Sequence, residues 1–179
     1  MVRLFVAVDL PDEVREKILH SQQEIAKSRA RLTLVDPGII HLTLKFIGEM
    51  PEGKVPEICD ALRTVRRDPF QVRVQGVAGN NPRQPRVIWC RLLDRGELAA
   101  LNAKVEEVLA PLGIPRENRA FRPHATLARV REFHKSLTEQ MKPLCDTEFG
   151  SFTVNGFTLK QSTLTPRGPV YEDLMEVSF

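Results

Sequence analysis

Three cysteines, one tryptophan, one tyrosine and four histidines are all that this 179-residue chain carries of those types. Cys59, Cys90 and Cys145 are odd in number and far apart, with no C-x-x-C pair, which excludes a zinc ribbon and a dithiol redox centre. They read as buried thiols, and no cofactor is expected. Long apolar runs are missing too. Val2 to Val8, flanked by Asp9 and interrupted by Arg3, is far shorter than the roughly 20 residues of a membrane span. It lacks the small-residue cleavage site of a signal peptide, so we expect no membrane partner and a cytoplasmic protein. There is no G-x-x-x-x-G-K-[ST] loop, so ATP or GTP hydrolysis is not expected, and no G-x-S-x-G elbow to support a serine nucleophile. The net charge of +3 permits a polyanionic partner without requiring one.

What the chain does contain is a pattern written twice. His41-Leu42-Thr43-Leu44 and His124-Ala125-Thr126-Leu127 stand 83 positions apart. On an extended strand residues i and i+2 share a face, so each copy presents an imidazole and a hydroxyl together while its neighbours turn inward.

The surrounding periodicities repeat at the same interval. Val2 to Val8 reads as a strand. Pro11-Asp12-Glu13 opens a helix over Asp12 to Lys27 whose stripe runs Val14, Ile18, Gln22, Ile25. Leu32 to Val35 is extended, Ile39 to Ile47 is a strand carrying the first motif, and Glu52 to Arg66 is a second helix followed by strand residues Phe70, Val72 and Val74. After Gly79-Asn80-Asn81-Pro82 the order returns: strand Arg86 to Leu92, helix Glu97 to Leu109, strand Phe121 to Val130. A weak helix at Lys135 to Pro143 and strands at Phe149 to Leu159, Gln161 to Leu164 and Val170 to Val177 then complete the second lobe. The fold class is therefore α+β with antiparallel sheet, because several strands follow one another directly. We expect one bilobal domain over 1–179 with an internal duplication of about 1–80 and 84–165, the C-terminal strand completing the sheet. The period suits two lobes facing one cleft, each with helices on its outer face.

Two imidazoles facing each other can divide acid and base work, since each titrates near neutrality. Such a pair suits phosphodiester chemistry without a metal. One histidine deprotonates the attacking water or hydroxyl, the other protonates the departing oxygen, and Thr43 and Thr126 bind the non-bridging phosphate oxygens. Metal binding by His41 and His124 is a weaker alternative, because no H-x-H, H-E-x-x-H or Cys/His cluster accompanies them. His20 and His134 have no such company and read as structural or solvent-facing, Trp89 as core. The arginines around the second motif, from Arg83 to Arg131, read mainly as solvated surface.

The chain resembles the 2H phosphoesterases, and within them the RNA 2′,3′-cyclic phosphodiesterases, also called 2′-5′ RNA ligases. The likeness rests on both motifs and their flanks, on Arg3 to Asp9, and on the block Ser162 to Tyr171. The resemblance implies hydrolysis of an RNA 2′,3′-cyclic phosphate to a 2′-phosphomonoester, with His41 as proton donor, His124 as proton acceptor, and Thr43 and Thr126 anchoring the phosphate. The expected partners are RNA ends of that kind, tRNA halves among them, met by a monomer. Rival readings are a 2′-5′ ligase joining tRNA halves, a phosphodiesterase for a small cyclic metabolite, and a catalytically idle RNA-binding module. Strand alternation puts Lys45 on the face of His41 as a phosphate or RNA backbone contact. Phe46 and Arg129, each five residues past its motif histidine, can flank the terminal base in members of the family. Alternation sends both backward, so this role needs a bulge or the end of the strand; core packing for Phe46 and a surface salt bridge for Arg129 are the alternatives. The segment with Arg167 and Tyr171 is read as a rim over the cleft or a structural hairpin.

Overall fold

A computed structural model describes residues 1–166 and 168–179. Its elements follow in the order β1 (Val2–Asp9), α1 (Asp12–Ala26), β2 (Arg31–Leu34), β3 (His41–Met50), α2 (Val55–Leu62), β4 (Phe70–Gly79), β5 (Val87–Leu93), α3 (Glu97–Leu109), β6 (His124–Glu132), α4 (Ser136–Met141), β7 (Glu148–Val154), β8 (Gly156–Thr165) and β9 (Gly168–Ser178). Pro11 before α1 and the acids Asp12 and Glu13 in its first turn suit the positive end of the helix dipole, and Val14, Ile18 and Ile25 bury its apolar stripe. The long strand expected from Phe149 to Leu159 is broken at Asn155, so β7 and β8 are separate elements. Among the described residues no helix is long and apolar enough to cross a membrane.

The strands lie in the order β7-β4-β5-β6-β3-β1-β8-β9, with β2 beside β6. Every pairing is antiparallel. The order is palindromic about the β6–β3 seam: β5 answers β1, β4 answers β8 and β7 answers β9. The two strands of the seam are held by one bridging pair, Leu42 with Ala125. These are the second residues of the two motifs, so the local two-fold axis of that antiparallel pair relates His41 to His124 and Thr43 to Thr126.

The lobes are not contiguous in sequence, which corrects the division expected above. β4 leaves the first half of the chain and lies against β5 and β7, in the lobe of His124. Strands β8 and β9 leave the second half and extend β1, in the lobe of His41. The helices cross in the same sense: α1 packs on β6 and β7, and α3 on β3. Each half therefore buries its apolar faces against the other, and a single cluster runs from Leu4, Val6 and Ile18 through Leu42 and Leu127 to Ile88, Leu101 and Phe149.

Candidate active site

The two motifs lie at the seam. Leu42, Leu44, Ala125 and Leu127 are buried towards the helices, and His41, Thr43, His124 and Thr126 are half-buried on the opposite, open face. The Leu42–Ala125 pair sets His41 opposite Thr126 and Thr43 opposite His124. Ordinary antiparallel spacing then puts the two histidines at a diagonal of about 7–8 Å.

Both rings are held in the same way. His41 Nδ1 lies 2.8 Å from the Ile39 carbonyl, and His124 Nδ1 lies 2.6 Å from the Arg122 carbonyl. A carbonyl only accepts, so each Nδ1 carries a proton and donates it, leaving each Nε2 as the atom that can gain or lose a proton. In His41 that Nε2 is 3.0 Å from Thr43 Oγ1. Burial pulls the His41 imidazole below the ordinary histidine range; its bond to Ile39 and the Asp9 carboxylate oppose this, and Lys160 and Arg15 add to it.

Aromatic rings support both imidazoles. Phe5 lies 5.0 Å from the His41 ring and Tyr171 meets it edge-on at 5.4 Å. The Trp89 ring is 4.6 Å from His124. Trp89 is thus on the open face, not in the core as expected; its neighbours Ile88 and Cys90 take the inward places. Tyr171 comes from β9, so the C-terminal hairpin does form part of the site wall, while Arg167 lies outside the described residues. Burial raises the Tyr171 phenol although Arg129 and Arg3 pull it down, which keeps it a neutral hydrogen-bond donor.

The strands do not alternate strictly, and this decides the flanking positions. Ala7 pairs with Thr43 and Val6 with Lys45, so Leu44 is an extra residue; Trp89 pairs with Thr126 and Ile88 with Ala128, so Leu127 is its counterpart. Each motif therefore ends in a bulge. The two bulges turn Phe46 and Arg129 to the open face, Phe46 being 63% exposed.

The first bulge also overturns the expectation for Lys45. Its side chain goes inward, 3% exposed, with Nζ 2.8 Å from Glu106 Oε1 and 2.6 Å from the Pro115 carbonyl. Lys45 is an internal cation that ties the 115–117 loop to β3, and it is not an RNA contact. Burial pushes the Glu106 carboxyl up, but the bonds from Lys45 and the Glu117 N–H outweigh that and hold it below the usual range.

The Leu44 carbonyl at the first bulge, and the Leu127 carbonyl at the second, which also accepts from the Val35 N–H at 2.9 Å, take side-chain donors at which nothing in the sequence hints. Asn102 Nδ2 of α3 donates to Leu44 O at 2.8 Å, and Gln22 Nε2 of α1 donates to Leu127 O at 2.9 Å and to Val35 O at 2.7 Å. Gln22 is 1% exposed. The only sequence signal for it is an amide set in an otherwise apolar stripe.

Of the remaining histidines, His20 is exposed, and His134 accepts from the Ser136 N–H at the start of α4. Cys59 and Cys90 are buried, but Cys145 is exposed beside Asp146. Cys90 sits next to the second motif, its thiol 3.7 Å from the Ala125 carbonyl. It points away from the open face, and burial pushes it up to about 12, so it is no nucleophile at neutral pH. Among the described residues no three His, Cys, Asp or Glu side chains group as metal ligands.

The model of the LigT-like phosphoesterases matches residues 8–89 and 94–171. A protein of Archaeoglobus fulgidus named RNA 2′,3′-cyclic phosphodiesterase is 38% identical over 174 residues, covering 97% of this chain and 98% of that protein. Among solved structures, E. coli LigT in complex with 3′-AMP superposes with a TM-score of 0.82 at 28% identity, covering 99% of this chain and 98% of that one. A protein of Thermus thermophilus does so with a TM-score of 0.80 at 34% identity, covering 98% and 97%. Paired histidine motifs on a two-fold seam, a palindromic antiparallel sheet and these matches over nearly the full length agree: the chain belongs to the LigT-like phosphoesterase family.

Proposed function

We propose that this protein opens 2′,3′-cyclic phosphate ends of RNA, leaving a 2′-phosphomonoester. The observation that carries the reading is the Leu42–Ala125 bridge, which brings two imidazoles to one two-fold axis with both Nδ1 atoms already engaged. In the reaction His124 Nε2 takes a proton from water as the water oxygen bonds to phosphorus. The bond from phosphorus to the 3′-oxygen breaks, and His41 Nε2 supplies the proton that this oxygen needs. Thr43 and Thr126 donate to the two non-bridging oxygens, whose charge grows in the transition state. A two-fold axis suits this chemistry, because attack and departure occur on opposite sides of one phosphorus. Phe46 and Arg129, turned out by the bulges, are placed to contact the terminal nucleoside.

We further propose tRNA halves as substrates, action as a monomer in the cytoplasm, and an origin of the two parts of the chain, about 1–80 and 84–165, as copies of one ancestral unit. An oligoribonucleotide ending in a 2′,3′-cyclic phosphate, incubated in EDTA, is the direct test. Wild-type protein opens the ring to a 2′-phosphate. His41→Ala and His124→Ala each lower the rate at least about 10²-fold. Unchanged rates in either variant, or loss of wild-type activity with the chelator, would overturn the reading.

A further inference from the structure

The two-fold relation of the site stops at the charges beside each histidine. In the β1–β3 ladder Asp9 is the residue paired with His41; in the β5–β6 ladder Arg91 is the residue paired with His124. The backbone partners of the two proton-transfer groups are thus an acidic and a basic residue.

Asp9 is not a casual surface acid. Lys160 of β8, only 6% exposed, bonds it at 2.9 Å and reaches Asp173 of β9 at 2.6 Å. Arg15 of α1 lies 3.5 Å from the other Asp9 oxygen and donates through Nε to the Ile40 carbonyl, next to His41. A buried lysine is tolerated because two carboxylates accept from it. Arg91 is anchored away from His124: it crosses β4 at Gly76, where Nη2 donates to the Cys145 carbonyl at 2.8 Å and stands 3.8 Å from Asp146. At Gly76 φ is +72°, and a Cβ would stand 2.4 Å from that nitrogen. The groups facing His41 are Asp9 from β1, Arg15 from α1, Lys160 from β8, Tyr171 and Asp173 from β9, and His124 across the seam.

We propose that Asp9, fixed between Lys160 and Arg15, is a positioning residue whose charge keeps a proton on His41. That carboxylate makes the His41 half of a two-fold site the acid. This rests on the acid–base reading above, and it adds the groups that enforce it. Burial lowers the proton affinity of His41, Lys160 and Arg15 lower it further, and the Asp9 carboxylate acts against that loss.

The test is an NMR titration of the His41 Cε1–H signal, run beside the pH profile of kcat/KM on the cyclic-phosphate oligonucleotide. Asp9→Asn moves the His41 midpoint down and carries the alkaline limb with it. A full unit of displacement lowers kcat/KM about tenfold above the midpoint. Asp9→Glu restores the wild-type midpoint. Lys160→Gln, which unmasks Asp9, moves it up, and it provides the test with opposite sign should Asp9→Asn not fold. A His41 midpoint indifferent to both changes, or a limb that stays put while the midpoint moves, overturns the proposal. If the midpoints move as stated but wild-type protein opens no cyclic phosphate, the network stands and the proposed reaction falls.

Discussion

Lys45 and His41 are four residues apart on one strand, and opposite things have been done with their charges. The lysine is paired inside the protein, where removing it leaves the Glu106 carboxylate buried without its counter-ion, with the Glu117 N–H still donating to it. Lys45→Ala is therefore expected to cost about 3–5 kcal/mol, read as a lowered midpoint in urea, whereas changing Lys45 and Glu106 together to apolar residues costs much less. The histidine is left half-buried, and burial lowers its affinity for a proton. As a proton donor it must be charged, so kcat/KM declines as pH rises through a midpoint below the ordinary histidine value of about 6.5. A limb at or above that value in the free enzyme would contradict this. Thr43→Val, which keeps the shape and deletes the donor, is expected to lower kcat by roughly 10²-fold. At this scale the four motif residues were legible in the sequence, because a repeated polar pair on a strand is visible in one dimension. Lys45 was misplaced because it was assigned a face by counting, and a single extra residue reverses every face that follows.

The elements were legible to within a few residues wherever a period ran uninterrupted: α3 spans Glu97–Leu109 in both sequence and structure, and α1 differs by one residue. Bulges are what periodicity cannot show, since Leu44 and Leu127 look like any inward residue. Asn102 donates to the Leu44 carbonyl, and Gln22 joins the Val35 N–H on that of Leu127, both amides coming from helices far off in the chain. Asn102→Leu should thus leave the Leu44 carbonyl without its partner, costing about 1–3 kcal/mol. It should also loosen the aim of Phe46, raising KM for RNA more than it lowers kcat. Deleting Leu44 should remove the bulge yet keep the faces, since Lys45 then follows Thr43 in the inward place and Phe46 takes the open one; a Phe46 that became shielded from solvent in that variant would count against Leu44 as the extra residue.

For the molecule as a whole, a repeat and a two-lobe fold could be read from the sequence, yet strands were assigned to the wrong lobes. Periodicity reports which residues are buried and says nothing of which neighbour buries them; β4 and β8 each leave their own half of the chain and pair with the other. The consequence for stability is one transition. Probes in either lobe, Trp89 fluorescence in one and Tyr171 resonances in the other, should unfold at the same urea concentration. Two separated transitions would mean that the crossed strands do not couple the lobes.

The crossing has a further outcome for a chain cut in the connection at 79–82. Neither fragment contains a full set of strands for either lobe, so each is expected to be unstructured alone. Mixed together, the two should find one another and rebuild a working enzyme from separate polypeptides.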